Sequence, residues 1–130
     1  MEKLLNIMLI DDNGIDLFLH EKLISLQPFT KSVTKFTGAA EALAVLKNST
    51  IEKWPDFILL DIQMPVDDGF AFLKQYGQLP TAHRKKCGVI MVSSSLNVDD
   101  IWRARSNKEV LDLLLKPLSI SALAKILKAN

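Results

Sequence analysis

LLDIQMPVDDG, residues 59–69, is the stretch on which the fold turns. Phe57 to Leu60 form an unbroken apolar run that ends abruptly on Asp61. A short apolar run bounded by turn residues suits a strand buried on both faces. Met64-Pro65 turns the chain behind it, because proline has no donor and holds the residue before it out of the helical region. Gly69 then opens a short helix through Tyr76. This is one strand-to-helix step, with a carboxylate at the carboxyl end of the strand. If the step repeats, the chain is an α/β domain.

It does repeat. NIMLI (6–10) reads as a buried strand, and Asp16 to Leu26 follows with Leu17, Leu19, Leu23, Ile24 and Leu26 near helical spacing. SVTKF (32–36) is rich in β-formers, and GAAEALAVLKN (38–48) is a strong helix with Lys47 in its last turn. DFILL (56–60) is the next strand, then GVIMV (88–92), with a helix from Val98 to Arg105. VLDLLL (110–115) is helical by propensity, but Lys116-Pro117 stops it and a fresh helical pattern follows, so it is read as a strand. Ser119 caps a last helix to Lys128. Five strands alternate with five helices. The expected class is a flavodoxin-like, doubly wound, five-stranded parallel sheet in the order 2-1-3-4-5.

Composition bounds the rest. The 130 residues suit one domain, 1–130. Net charge is +1, too balanced to argue for nucleic acid. Residues 1–30 carry −3 and residues 101–130 carry +4, which we read as solvated helix faces before electrostatic steering. The single cysteine, Cys87, excludes an internal disulfide and fits a reducing, cytoplasmic setting. No apolar run reaches the roughly 18 residues needed to span a bilayer. The start, MEKLLNIMLIDDN, lacks the cleavage site of a signal peptide. Met1 and a final helix ending in LKAN suit a complete small protein.

The chemistry follows from the frame. Ligands of a doubly wound sheet bind at the carboxyl ends of its strands, where the strand order reverses. The first strand ends in Asp11-Asp12, the third in Asp61, the fourth in Ser93-Ser94-Ser95 and the fifth in Lys116. Three clustered carboxylates repel one another and call for a cation or a raised pKa. Oxygen donors without histidine favour a hard ion, Mg²⁺ before zinc. Ser93 and Lys116 suit phosphoryl oxygens, and a carboxylate can itself be the nucleophile of phosphoryl transfer.

In these residues the chain resembles the receiver domain of two-component response regulators, over essentially its whole length. Asp11-Asp12 looks like the family's acidic pair, and DIQMPVDDG matches D-x-x-M-P-x-x-x-G with Asp61 as phosphoacceptor. Ser93 matches its Ser/Thr position, and Lys116-Pro117 its Lys-Pro, which is usually cis in the family. The resemblance implies that Asp61 takes a phosphoryl group from a histidine kinase or histidine phosphotransfer protein. It implies a Mg²⁺ site of Asp12, Asp61 and the Gln63 backbone carbonyl, with Asp11 acting partly through water. Ser93 and Lys116 would hold the phosphoryl oxygens, and backbone amides at Gln63 and Ser94 would complete the cradle. It implies a switch with self-phosphorylation and slow self-dephosphorylation, not an enzyme. A downstream protein would read the 93–106 and 110–130 surface, with no direct binding to nucleic acid or membrane.

One position departs from the family pattern. Leu113 stands where an aromatic switch residue is common, so the expected signal runs through the loop after Ser93 and the helix 98–106. Two other functions fit less well. An aspartate-nucleophile phosphatase or phosphotransferase wants a second acid where Gln63 stands. A flavodoxin-like electron carrier wants a phosphate loop where Asp11-Asp12 stands. Bland readings apply elsewhere. His20 and His83 are expected to be surface or half-exposed groups away from the site, and HRKK (83–86) to lie in a solvated loop. Cys87 is read as a small core residue, and Trp54 as a cover for the mouth of the third strand. For Trp102, core packing is preferred over a partner anchor.

Overall fold

The computed structural model describes residues 3–65, 68–95 and 97–130. Strands β1 (Leu5–Ile10), β2 (Thr30–Phe36), β3 (Phe57–Asp61), β4 (Gly88–Ser93) and β5 (Val110–Leu115) form a parallel sheet in the order β2-β1-β3-β4-β5. The helices are α1 (Gly14–Ser25), α2 (Ala39–Lys47), α3 (Gly69–Tyr76), α4 (Thr81–Lys86), α5 (Val98–Ser106) and α6 (Ile120–Ala129). Order and direction match the expectation, including β5 as a strand. The register sets Ile10 beside Leu60, Asp61 beside Val92 and Ser93 beside Leu115. The strand ends that carry polar residues are therefore aligned.

Alternate side chains of the central strands serve opposite faces. Ile7, Leu9, Leu59, Ile90 and Val92 pack against Leu17 and Ile24 of α1 and Leu123 and Leu127 of α6. Met8, Ile10, Ile58, Leu60 and Met91 pack against α2, α3 and Ala104 of α5. Both faces are covered, which is why β3 reads as a continuous apolar run. Trp54 is wholly buried just before β3, its Nε1 donating to the Leu46 carbonyl at 3.0 Å. Cys87 is a core residue as expected, and burial pushes its thiol up to about 12.

The residues that join β3 to α3 have specific jobs. The Gly69 amide donates to the Ile62 carbonyl at 2.9 Å. A Cβ at Gly69 would lie 2.7 Å from the Asp61 carbonyl oxygen and 2.8 Å from Met91 Cε. The glycine is there because α3 starts directly against the end of β3, with no room for a side chain. Asp68 caps α3 by accepting from the Ala71 amide at 2.9 Å.

Two expectations change. The described residues hold six α-helices where five were expected: residues 83–86 lie in α4, not in a loop. TAHRKK has no apolar period, and tertiary bonds hold it. Arg84 pairs with Glu109 and donates to the Leu79 carbonyl, while Lys86 Nζ donates to the carbonyls of Ile51 (3.0 Å) and Trp54 (2.7 Å). His83 is half-buried, within the expectation, its ring edge-on to Trp54 at 5.1 Å. On α1, Leu19 and Leu23 face outward with Ile15 and Phe18, and Leu26 is exposed at the C-cap, whereas Leu17, His20 and Ile24 face the sheet. The helix is apolar on both sides, so periodicity alone could not choose its buried face. Trp102 is 70% exposed on α5, because Ala104 is the residue that meets the core.

Candidate functional site

Asp11 leaves β1 and is buried, its amide bonded to the Phe36 carbonyl at 3.1 Å. Its Oδ1 accepts from the Asn13 amide at 2.9 Å, which turns the chain toward α1. Asn13, not either aspartate, is the cap: its Oδ1 accepts from the amides of Ile15 and Asp16, both at 3.0 Å. Both acids are thus free of the capping role. Asp61 is the last residue of β3 and is 4% exposed, while Asp12 is exposed at the mouth. Asp11, Asp12 and Asp61 each offer a carboxylate oxygen within 4.8 Å of the others.

Lys116 follows β5, its amide donating to the Ser93 carbonyl at 2.8 Å and its bond to Pro117 cis. Its Nζ donates to Asp11 Oδ2 at 2.7 Å and to Asp16 Oδ2 at 2.8 Å, and lies 3.7 Å from Asp61 Oδ1. Burial alone would lower this ammonium, but its hydrogen bonds to Asp11 and Asp16 carry it above the ordinary lysine value. Asp61 moves the other way for a carboxyl. Burial, then the negative charge of Asp11, push it up to about 7, with Lys116 only partly offsetting them. The site is short of positive charge.

Ser93 ends β4 and is fully buried. Its hydroxyl has two acceptors in reach, Gln63 Oε1 at 2.8 Å and the Ser95 carbonyl at 2.7 Å, and accepts from the Ser95 amide at 3.2 Å. Gln63 Nε2 also donates to the Ser95 carbonyl at 3.1 Å. The expected part of Gln63 was its backbone. Its amide does approach Asp61 Oδ1 at 3.3 Å, but its side chain also ties the β3 turn to the loop after β4. Ser94 is exposed beside them. Leu113 pairs with Met91 in the sheet and packs, half-buried, against the core.

The structure thus brings together Asp11, Asp12, Asp61, Ser93 and Lys116, with Gln63 and Ser94 at the rim. It adds Asp16, whose place in the first turn of α1 gave it the look of a helix-start acid. His20 is a correction: it is 7% exposed and close enough to Lys116, Asp11 and Asp16 to feel their charges. Burial and then Lys116 hold its imidazole below the usual value. Its spacing with Leu17 and Ile24 was the available signal. Oxygen donors in this number, around a carboxyl that resists ionisation, fit a hard divalent cation. A buried hydroxyl and an ammonium in the same site fit a tetrahedral oxyanion.

A family model for the response regulator receiver domain matches residues 7–128. The crystal structure of a response regulator receiver protein from Dyadobacter fermentans DSM 18053 is 38% identical, with a TM-score of 0.88 and 95% of each chain covered. A two-component response regulator from Cytophaga hutchinsonii is 27% identical, with a TM-score of 0.90 over 98% of this chain and 97% of that one. The sensor histidine kinase CheAY of Helicobacter pylori is 30% identical over 95% of this chain, which spans 15% of that protein's length. Among the described residues no helix is long and apolar enough to cross a membrane.

Proposed function

The chain belongs to the response regulator receiver domain family, and we propose that it works as the phosphoacceptor switch of a two-component relay, with residues 1–130 as one receiver domain. One observation carries the reading. Asp61 stands at the end of β3, buried, crowded by Asp11 and within 3.7 Å of the Lys116 ammonium. A carboxylate placed there has little reason to exist for stability alone, since burial and a like charge both oppose its ionisation.

In this reading Asp61 is the nucleophile. One of its oxygens bonds to phosphorus as the bond from phosphorus to the donor's imidazole nitrogen breaks, and that nitrogen keeps the electron pair. Asp11, Asp12, Asp61 and the Gln63 carbonyl would hold Mg²⁺, which supplies positive charge to the carboxylate and phosphoryl oxygens. Lys116 neutralises a phosphoryl oxygen, and Ser93 donates to another after giving up Gln63 and Ser95. Amides of Gln63 and Ser94 complete the cradle. Gln63 has no acidic proton for a leaving group, which favours a switch over a phosphatase or phosphotransferase.

The donor would be a histidine kinase or histidine phosphotransfer protein, and a cytoplasmic setting is part of this reading. The outward apolar stripe of α1 favours a protein donor. Ile15 (73% exposed), Phe18 (55%) and Leu19 (51%) begin directly beyond Asp12. On the output side, Leu113 has no ring to swing inward. The signal would pass through Ser93, because its hydroxyl is joined to Gln63 and Ser95 at the root of the loop leading to α5. A downstream protein would read the 93–106 and 110–130 surface, where exposed Trp102 is a ready anchor. Beryllofluoride with Mg²⁺ should therefore alter amide hydrogen exchange across 93–106. Unchanged exchange there, with the mimic bound, would remove this route from the account.

A further inference from the structure

We propose that Asp16 is a positioning residue that competes with the phosphoryl group for Lys116. The inference rests on the receiver reading above and concerns the control of its lysine. An ammonium has three donors. Two of the Lys116 donors are used on Asp11 and Asp16, at 2.7 and 2.8 Å. The remaining approach, to Asp61 at 3.7 Å, is too long for a hydrogen bond. The lysine is therefore turned toward the α1 side of the site and away from the residue it would serve.

Helix chemistry does not account for Asp16. Its backbone amide is satisfied by Asn13, and its carboxylate does not fold back on the helix end but reaches a residue 100 positions away. It also stands apart from the carboxylates of Asp11, Asp12 and Asp61 that cluster at the mouth. A cation on those three would draw on the charge of Asp11. Asp16 would then be the one anion of this network devoted to Lys116. To hold a phosphoryl oxygen, Lys116 must loosen that bond. By holding the ammonium, Asp16 weakens the hold on a phosphoryl group and favours the unmodified state.

The test is the affinity for beryllofluoride at fixed Mg²⁺, followed by fluorine NMR on the full chain. Asp16→Asn keeps the shape and removes the charge. It should bind the mimic about three- to tenfold tighter, the scale of one ordinary net hydrogen bond, since asparagine still accepts from the ammonium and only the charge is lost. Asp16→Glu should restore wild-type affinity. In a Lys116→Ala background the Asp16→Asn change should do nothing, because the competition needs the lysine. A purely structural role would persist in that background. Unchanged or weaker binding by Asp16→Asn, or an effect that survives without Lys116, overturns the proposal while leaving the receiver reading intact. If the wild type binds no beryllofluoride, the receiver reading falls, and the proposal with it.

Discussion

Lys116→Met should slow phosphorylation by acetyl phosphate by about a hundredfold or more, the usual effect of removing one preorganised charge at a reacting oxyanion. The methionine keeps the length of the stem and loses the ammonium. Two deficits follow. The phosphoryl oxygens lose their cation, and Asp11, Asp16 and Asp61 lose the positive charge they share. Lys116→Arg should recover little, because a planar guanidinium cannot replace a compact ammonium between Asp11 and Asp16. The measurement is the rate of phosphoryl gain by intact mass at saturating Mg²⁺. A rate within about threefold of wild type would remove Lys116 from the transfer step, since that is a small part of the expected loss.

The second large effect is a pH dependence that divalent cation removes. Without cation the folded state holds the Asp61 proton up to about pH 7, whereas an ordinary aspartate releases it near 3.8. Between those values the folded state binds more protons than the unfolded one. Stability must then fall as pH rises from about 4 to 7, by a few kcal/mol in all. His20 works the other way. Its folded pKa lies below the ordinary 6.5, so it costs stability as pH falls through that region. Asp61→Asn separates the two, because it removes the first slope and keeps the second. At pH 7.5 or so and without Mg²⁺, Asp61→Asn should be more stable than wild type, as it no longer holds a charge against Asp11. Adding Mg²⁺ should stabilise the wild type above about pH 6 and do little at pH 4 to 5, where protons occupy the site. Denaturant unfolding across pH, with and without Mg²⁺, measures all of this. Parallel curves for wild type and Asp61→Asn would contradict the crowded-carboxylate description.

The frame was legible because its strands are short apolar runs that end on polar residues, and a parallel sheet aligns those ends. That places Asp11, Asp12, Asp61, Ser93 and Lys116 on one edge from the sequence alone. What escaped was set by tertiary contact. α4 has no period of its own and exists through Arg84–Glu109 and the Lys86 bonds. Asp16 resembled any first-turn acid until Lys116 was found beside it. His20 was hidden by α1, whose apolar residues occupy both faces. Trp102 suggested core by its size, whereas the small Ala104 is what fits beneath α5. Gln63 was read for its backbone alone, and its side chain turned out to join Ser93 and Ser95.

The central claim is that Asp61 accepts a phosphoryl group. The most direct measurement is intact mass after incubation with acetyl phosphate and Mg²⁺, for wild type and Asp61→Asn in parallel. A gain of one phosphoryl group in the wild type, absent from Asp61→Asn and lost on removal of Mg²⁺, is the expected result. No gain in a wild type shown to bind Mg²⁺, or an equal gain in Asp61→Asn, would contradict the account.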